Sequence, residues 1–86
     1  MTARILRASG VKESLKGTGK RGTLTLEDMQ KAVGGYIEFV HMGGMTLVVN
    51  EEGLLKNGLP LNTMASELAG RPIVGDALLV KSSAIK

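Results

Sequence analysis

The chain has no cysteine and no tryptophan, and its aromatic content is one Phe and one Tyr in 86 residues. Without cysteine, neither a disulfide framework nor a thiolate metal site can staple the fold. With so few rings, the core has to be aliphatic, built from Ile, Leu, Val, Met and Ala. At this length the chain is one domain, near the lower size at which a core sustains itself. Burial on dimerisation is one way to supplement so thin a core, so a homo-oligomer belongs among the expectations. No apolar run approaches the ~20 residues of a membrane span. Arg4 and Arg7 flank only Ile5-Leu6, too short for the apolar region of a signal peptide. The expected setting is the cytoplasm, with no membrane partner.

The formal net charge of +3 hides an asymmetry. Residues 1–21 set Arg4, Arg7, Lys12, Lys16, Lys20 and Arg21 against the single carboxylate Glu13, a net +5. Residues 22–86 carry five basic and seven acidic side chains, a net −2. A basic quarter of this kind either meets an anionic partner such as nucleic acid through long-range attraction or is a solvated surface that keeps the protein soluble.

The clearest organisation runs from Leu26 to Gly53. Thr25 is an N-cap with Asp28 three positions on, an approximate capping box, and Glu27 faces the positive end of the helix dipole. Leu26, Met29, Ala32 and Val33 share one helical face. Gly34 stands where a left-handed C-cap needs a residue without Cβ. Tyr36 to Met42 and Met45 to Val49 then read as strands around a Gly43-Gly44 turn. A two-residue loop sets Met42 opposite Met45, Val40 opposite Leu47, Glu38 opposite Val49 and Tyr36 opposite Glu51, all on one face. Both faces carry apolar residues, so the hairpin is expected at the centre of the sheet.

Upstream, Ala3 to Ala8 and Val11 to Lys16 read as strands about a Ser9-Gly10 turn, followed by a flexible glycine-rich loop over residues 17–22. Thr23-Leu24 is a candidate for renewed pairing. Downstream, the stretch 54–60 is too broken for a regular element. Asn62 caps a short helix from Thr63 to Ala69, with Met64, Ala65 and Leu68 inward and Gly70 as its stop. Gly75-Asp76 turns into a last strand, Ala77 to Lys81. The expectation is an α+β fold of order ββαββαβ over residues 1–81, with a mixed, β-grasp-like sheet, one packed helix and a loose tail over residues 82–86.

Little in this framework supports catalysis. Gly17-Thr18-Gly19-Lys20-Arg21-Gly22 fits G-x-G-x-x-G by letter, but Thr23-Leu24-Thr25 separates it from the helix that a dinucleotide fingerprint opens directly. His41 is the only histidine and has no thiolates or clustered carboxylates at ligand spacing. No Gly-x-Ser-x-Gly elbow is present. Glu51 and Glu52, adjacent on an extended segment, point in opposite directions and cannot readily share a substrate. Neither a metal nor a cofactor is expected, nor is the protein expected to be an enzyme.

Tyr36 is the best single candidate for recognition. A tyrosine beside Gly34-Gly35 can stack a flat ligand, and the glycines let that ligand approach backbone N–H groups. Glu38 and Glu51 share its face and can accept hydrogen bonds. Asn50, Asn57 and Asn62 either line a pocket or serve as caps and turns.

Leu26-Glu27-Asp28-Met29-Gln30-Lys31-Ala32-Val33-Gly34-Gly35-Tyr36-Ile37-Glu38 resembles a small family of phages, mobile elements and bacteria catalogued as a domain of unknown function. The likeness continues through Leu47 to Gly53, Leu59-Pro60-Leu61-Asn62 and Ile73-Val74-Gly75-Asp76, and is weakest over residues 9–24. The family's pattern falls here on Gly34, Gly35, Asn50, Glu51, Gly53, Asn62, Gly75 and Asp76. The resemblance brings no activity. It implies a phage or mobile-element setting, in which small proteins act on host machinery by binding it or by sequestering a nucleotide signal. The expected function is therefore a phage-type binding protein that neutralises a host factor, an antiviral one among the candidates. Its expected partner is a host protein or a nucleotide-type small molecule, and its site is Gly34, Gly35, Tyr36, Glu38, Asn50, Glu51 and Asn62. The alternative is a small nucleic-acid-binding protein using Arg4, Arg7, Lys12, Lys16, Lys20 and Arg21.

Overall fold

The computed structural model describes residues 2–53 and 58–85. Five strands form one sheet: β1 (Thr2–Leu6), β2 (Lys12–Lys16), β3 (Ile37–Met42), β4 (Met45–Asn50) and β5 (Ala77–Lys81), in the spatial order β2-β1-β5-β4-β3. Helix α1 (Leu26–Val33) lies between β2 and β3 in sequence, and α2 (Thr63–Ala69) between β4 and β5. The chain is α+β in the order ββαββαβ. The segment 54–57, with Asn57, lies outside the described residues.

All strand pairs are antiparallel, which corrects the expected mixed, β-grasp-like sheet. The reason lies in the connections. β4 leaves the sheet at Asn50, and the segment carrying α2 returns to that same end, where β5 starts at Ala77. β1 ends there too, with Leu6 opposite Ala77. Among the described residues, parallel pairing is confined to an isolated bridge between Leu24 and Ile85.

The two helices pack on opposite faces. Met29, Ala32 and Val33 of α1 meet Ala3, Ile5, Val48, Leu78 and Val80. Ala65 of α2 meets Leu6, Leu47, Val49, Ile73 and Ala77. This second layer corrects the expectation of one packed helix. β4 is buried from Thr46 to Asn50 because both of its faces are covered, which is why Leu47-Val48-Val49 is a continuous apolar run. The hairpin is thus central only through β4, whereas β3 is an edge strand.

The local signals act as their chemistry dictates. Thr25 and Asp28 form a reciprocal capping box, and Gly34 closes α1 at φ 79°. The hairpin register matches the two-residue loop pair for pair, from Met42 opposite Met45 to Glu38 opposite Val49. Two inward assignments are corrected: Leu26 is 56% exposed and Leu68 49%. Both sit at the rim of an apolar stripe that is narrower than helical periodicity suggests.

Two segments expected to be loose are pinned. A single 3₁₀ turn at Ser82–Ala84 follows β5, and Ala84 is only 1% exposed within the α1-side core. The Ser82 hydroxyl donates to the Gly43 carbonyl at 3.0 Å, fixing this segment to the hairpin tip. The loose tail is thereby corrected for residues 82–85, while Lys86 lies outside the described residues. In the glycine-rich loop, the Asp28 carboxylate accepts from Thr18 N at 2.9 Å and from Thr18 Oγ1 at 2.8 Å. A Cβ at Gly17 would run into the Gly22 and Thr23 carbonyls.

Candidate functional site

The end of the sheet where β1, β4 and α1 finish gathers most of the residues singled out by the sequence. Gly34-Gly35-Tyr36 enters β3 there, Asn50-Glu51-Glu52 leaves β4, and Gly75-Asp76 enters β5. Tyr36 follows directly from the cap of α1, and its carbonyl accepts from Glu51 N at 2.9 Å, extending the hairpin ladder by one pair. Tyr36 is 66% exposed.

Tyr36 lines a shallow hollow of about 320 Å³ with Gln30, Gly35 and Glu52. Glu38 and Glu51 sit apart from it, in a smaller cleft of about 130 Å³ with Arg71 and Ile73. There Arg71 Nη2 lies 3.6 Å from Glu38 Oε2. Sequence reasoning placed Glu38 beside the tyrosine and missed Arg71, which reaches the β3 edge from beyond α2. A third hollow, of about 410 Å³, lies on the other side of Gly34, with Lys31, Leu59, Pro60 and Asp76 among its walls.

The glycine N–H groups are not open to a ligand, a correction to the sequence reading. Gly34 N and Gly35 N both donate to the Gln30 carbonyl, at 2.8 and 3.2 Å. These are the bonds that terminate α1, so the geometry that requires glycine also occupies its donors.

Asn50 and Asn62 hold the framework rather than face a ligand. Asn50 Nδ2 donates to the Val33 carbonyl at 3.1 Å, and its Oδ1 accepts from Glu52 N at 2.9 Å. It therefore ties the last turn of α1 to the exit of β4. Asn62, 0% exposed, donates to the Leu6 and Gly75 carbonyls at 2.7 and 2.9 Å. Its Oδ1 accepts from Ala65 N at 3.1 Å and caps α2. Buried amides with these roles are costly to replace.

The basic quarter separates into two groups. Arg7 is taken up internally: its Nε and Nη2 donate to both Glu13 oxygens at 3.0–3.2 Å, and its Nη1 to Asp76 Oδ2 at 2.7 Å. The Glu13 hydrogen bonds, then those to Asp76, raise its pKa further above an already high value. Arg4, Lys12, Lys16, Lys20 and Arg21 are exposed. Lys20 and Arg21 stand on a single 3₁₀ turn over Lys20–Gly22, with Arg21 in the left-handed region at φ 58°.

In the G-x-G-x-x-G stretch three backbone donors are taken up within the protein. Thr18 N goes to Asp28, Gly19 N to the Thr23 carbonyl and Gly22 N to the Gly19 carbonyl. Hydrogen bonds from the backbone N–H groups of Thr25 and Thr18 hold the Asp28 carboxyl down at about 2, leaving a negative charge beside this loop. His41 Nδ1 lies 3.2 Å from Thr46 Oγ1, which in turn meets Ser82 Oγ at 2.8 Å, with no carboxylate in the chain of bonds. Among the described residues no group of three or more His, Cys, Asp or Glu could hold a metal ion. No described helix is long and apolar enough to cross a membrane.

No curated protein and no solved structure matches the chain. Residues 5–84 match the family described as Domain of unknown function (DUF3846). That span runs from β1 to the 3₁₀ turn after β5 and takes in every motif gathered at the Tyr36 end of the sheet, and the chain belongs to this family.

Proposed function

We propose that this protein is a non-enzymatic binding protein of phage type, which neutralises a host factor by docking the Tyr36 end of its sheet against a host protein. The observation that carries this reading is Tyr36 itself, 66% exposed at the junction where the motif residues converge. A tyrosine is a rigid, amphipathic anchor of the kind that dominates protein interfaces. Leu59 and Pro60 are exposed beyond Gly34, and Glu51 and Glu52 supply a polar, acidic rim. A basic contact surface on the partner suits that charge.

The geometry favours a protein over a nucleotide signal. The hollow beside Tyr36 is shallow, whereas sites that engulf small ligands enclose most of their surface. The Gly34 and Gly35 N–H groups are occupied, and Glu52, the charged residue lining the hollow, repels phosphate. The phage setting rests on the sequence resemblance alone.

Photo-crosslinking from position 36 in host extract, followed by quantitative binding of the captured protein, tests the reading. The expected result is one basic partner whose activity falls on binding and whose affinity is lost with Tyr36→Ala. Turnover of a nucleotide or ester that one side-chain change abolishes would overturn it. So would a nucleotide released by heating the purified protein, with no host protein bound.

A further inference from the structure

The sheet face on which α2 packs is covered at one end only. Leu6, Leu47, Val49 and Ala77 are enclosed there with Ala65 and Ile73. The strand register places four cations on the same face. Lys12 is opposite Leu6, Arg4 is opposite both Ser14 and Leu79, Lys16 is opposite Thr2, and Lys81 is opposite Met45. All four are exposed, and among the described residues none of them makes an ion pair. Arg4 is diagonal to both Lys12 and Lys16, about 7–8 Å from each. Lys81 lies two strands from Lys16, at about 10 Å. Glu38 lies on this face too, at the far edge against Arg71.

A groove of about 490 Å³ runs between two of these cations, Arg4 and Lys12, and α2. Its floor is apolar, from Leu6, Met64, Leu68 and Leu79, and its rim carries Arg4 and Lys12 against one carboxylate, Glu67. Leu68, expected to be inward, is the exposed side of this groove.

We infer that this face binds single-stranded nucleic acid, with phosphates on Arg4, Lys12, Lys16 and Lys81 and an unpaired base over the groove floor. Charge complementarity selects a polyanion, and the apolar floor selects a strand whose bases are free to leave water. A duplex keeps its bases paired and would leave that floor uncovered. No aromatic lines the groove, so base stacking contributes little, and affinity rests on phosphate contacts that carry no sequence information. The site differs from the basic quarter of the sequence. Arg7 drops out because Glu13 and Asp76 hold it, Lys20 and Arg21 stand on the turn beyond β2, and Lys81 joins from the other end of the chain.

The test is fluorescence anisotropy of a labelled oligothymidylate of about 15 nucleotides, titrated with the full chain across a salt series. Four phosphate contacts predict a slope of log affinity on log salt of about −2.8, a loss of about fifty-fold between 50 and 200 mM. Lys16→Ala and Lys81→Ala should each flatten the slope by about 0.7. Leu68→Glu, at an exposed position, should weaken binding while the thermal melt stays put. Tyr36→Ala should change nothing, so this test stands or falls apart from the host-protein reading. Absence of binding at micromolar protein in low salt would overturn the inference. So would a preference for duplex with a slope near −3.6, about −0.9 per contact. Flattening of the slope by Lys20→Ala and Arg21→Ala, with Lys16→Ala silent, would place the site elsewhere.

Discussion

Asn62 and Leu6 meet across 56 residues of sequence, with the Asn62 amide donating to the Leu6 carbonyl at 2.7 Å. The same amide reaches the Gly75 carbonyl at 2.9 Å, and its oxygen takes Ala65 N at 3.1 Å. One fully buried side chain therefore joins the end of β1, the entry to β5 and the start of α2. Asn62→Ala removes one hydrogen bond from each of those three backbone groups at a fully buried position. The expected loss is on the order of 3 kcal/mol, a large share of a small domain's stability. Urea denaturation should show a lower midpoint with an unchanged m-value. Asn62→Asp should be worse, since it turns a carboxylate toward two carbonyl oxygens.

Asp28 predicts a pH dependence. Its carboxyl is held down from 3.8 to about 2, chiefly by the Thr25 N–H and then the Thr18 N–H. A folded-state pKa below the unfolded one adds stability that is present above about pH 4 and is lost as pH falls toward about 2. Melting temperatures of the wild type and Asp28→Asn should differ by a nearly constant amount well above pH 4, with the difference shrinking as pH falls through about 2. A difference that persists undiminished at pH 2 would mean that the carboxylate charge is not what binds the loop to the helix.

The face of α1 makes a sharper test. Met29 and Val33 are 4% and 6% exposed, packed against the sheet. Met29→Asp and Val33→Asp each put an unpaired charge into an aliphatic core and should unfold the monomer, at a cost of several kcal/mol. Leu26→Asp, at the exposed first position of the same stripe, should change stability by no more than about 0.5 kcal/mol. Thermal melts followed by circular dichroism separate these outcomes.

Leu26 also marks where sequence reasoning reached its limit. Periodicity assigns a residue to a helical face, but the width of the buried stripe depends on how far the neighbouring layer extends. Elements whose determinants are local were legible: the capping box at Thr25 and Asp28, the Gly34 stop, the Gly43-Gly44 hairpin, and the strand Ala77–Lys81. What depends on distant pairing was not. Arg7 reads as a free cation until Asp76, 69 residues away, comes within 2.7 Å of it. Ser82 to Ile85 read as a tail because nothing local reveals that Leu24 and Gly43 receive them. Lys81 joins Arg4 and Lys12 only once the strand order β2-β1-β5 is known. In the candidate site, the position of Tyr36 opposite Glu51 was legible from the loop length alone. The structural roles of Asn50 and Asn62 were one of two readings that residue type left open.

Tyr36→Ala is the variant that separates recognition from folding. The side chain is 66% exposed, and its backbone carbonyl, which accepts from Glu51 N, survives the substitution. Stability should therefore move by no more than about 0.5 kcal/mol, the range of ordinary surface changes. Asn50→Ala, a few ångströms deeper, should behave oppositely. It frees the Val33 carbonyl and Glu52 N and lowers stability by about 1–3 kcal/mol. Partner affinity measured by calorimetry should fall at least about fivefold for Tyr36→Ala, since anchor residues of an interface exceed about 1 kcal/mol on truncation. Tyr36→Phe should keep most of that affinity where the ring supplies the contact, and lose it where the hydroxyl does. A Tyr36→Ala protein that binds its partner at full strength would remove this end of the sheet from consideration, whatever its stability.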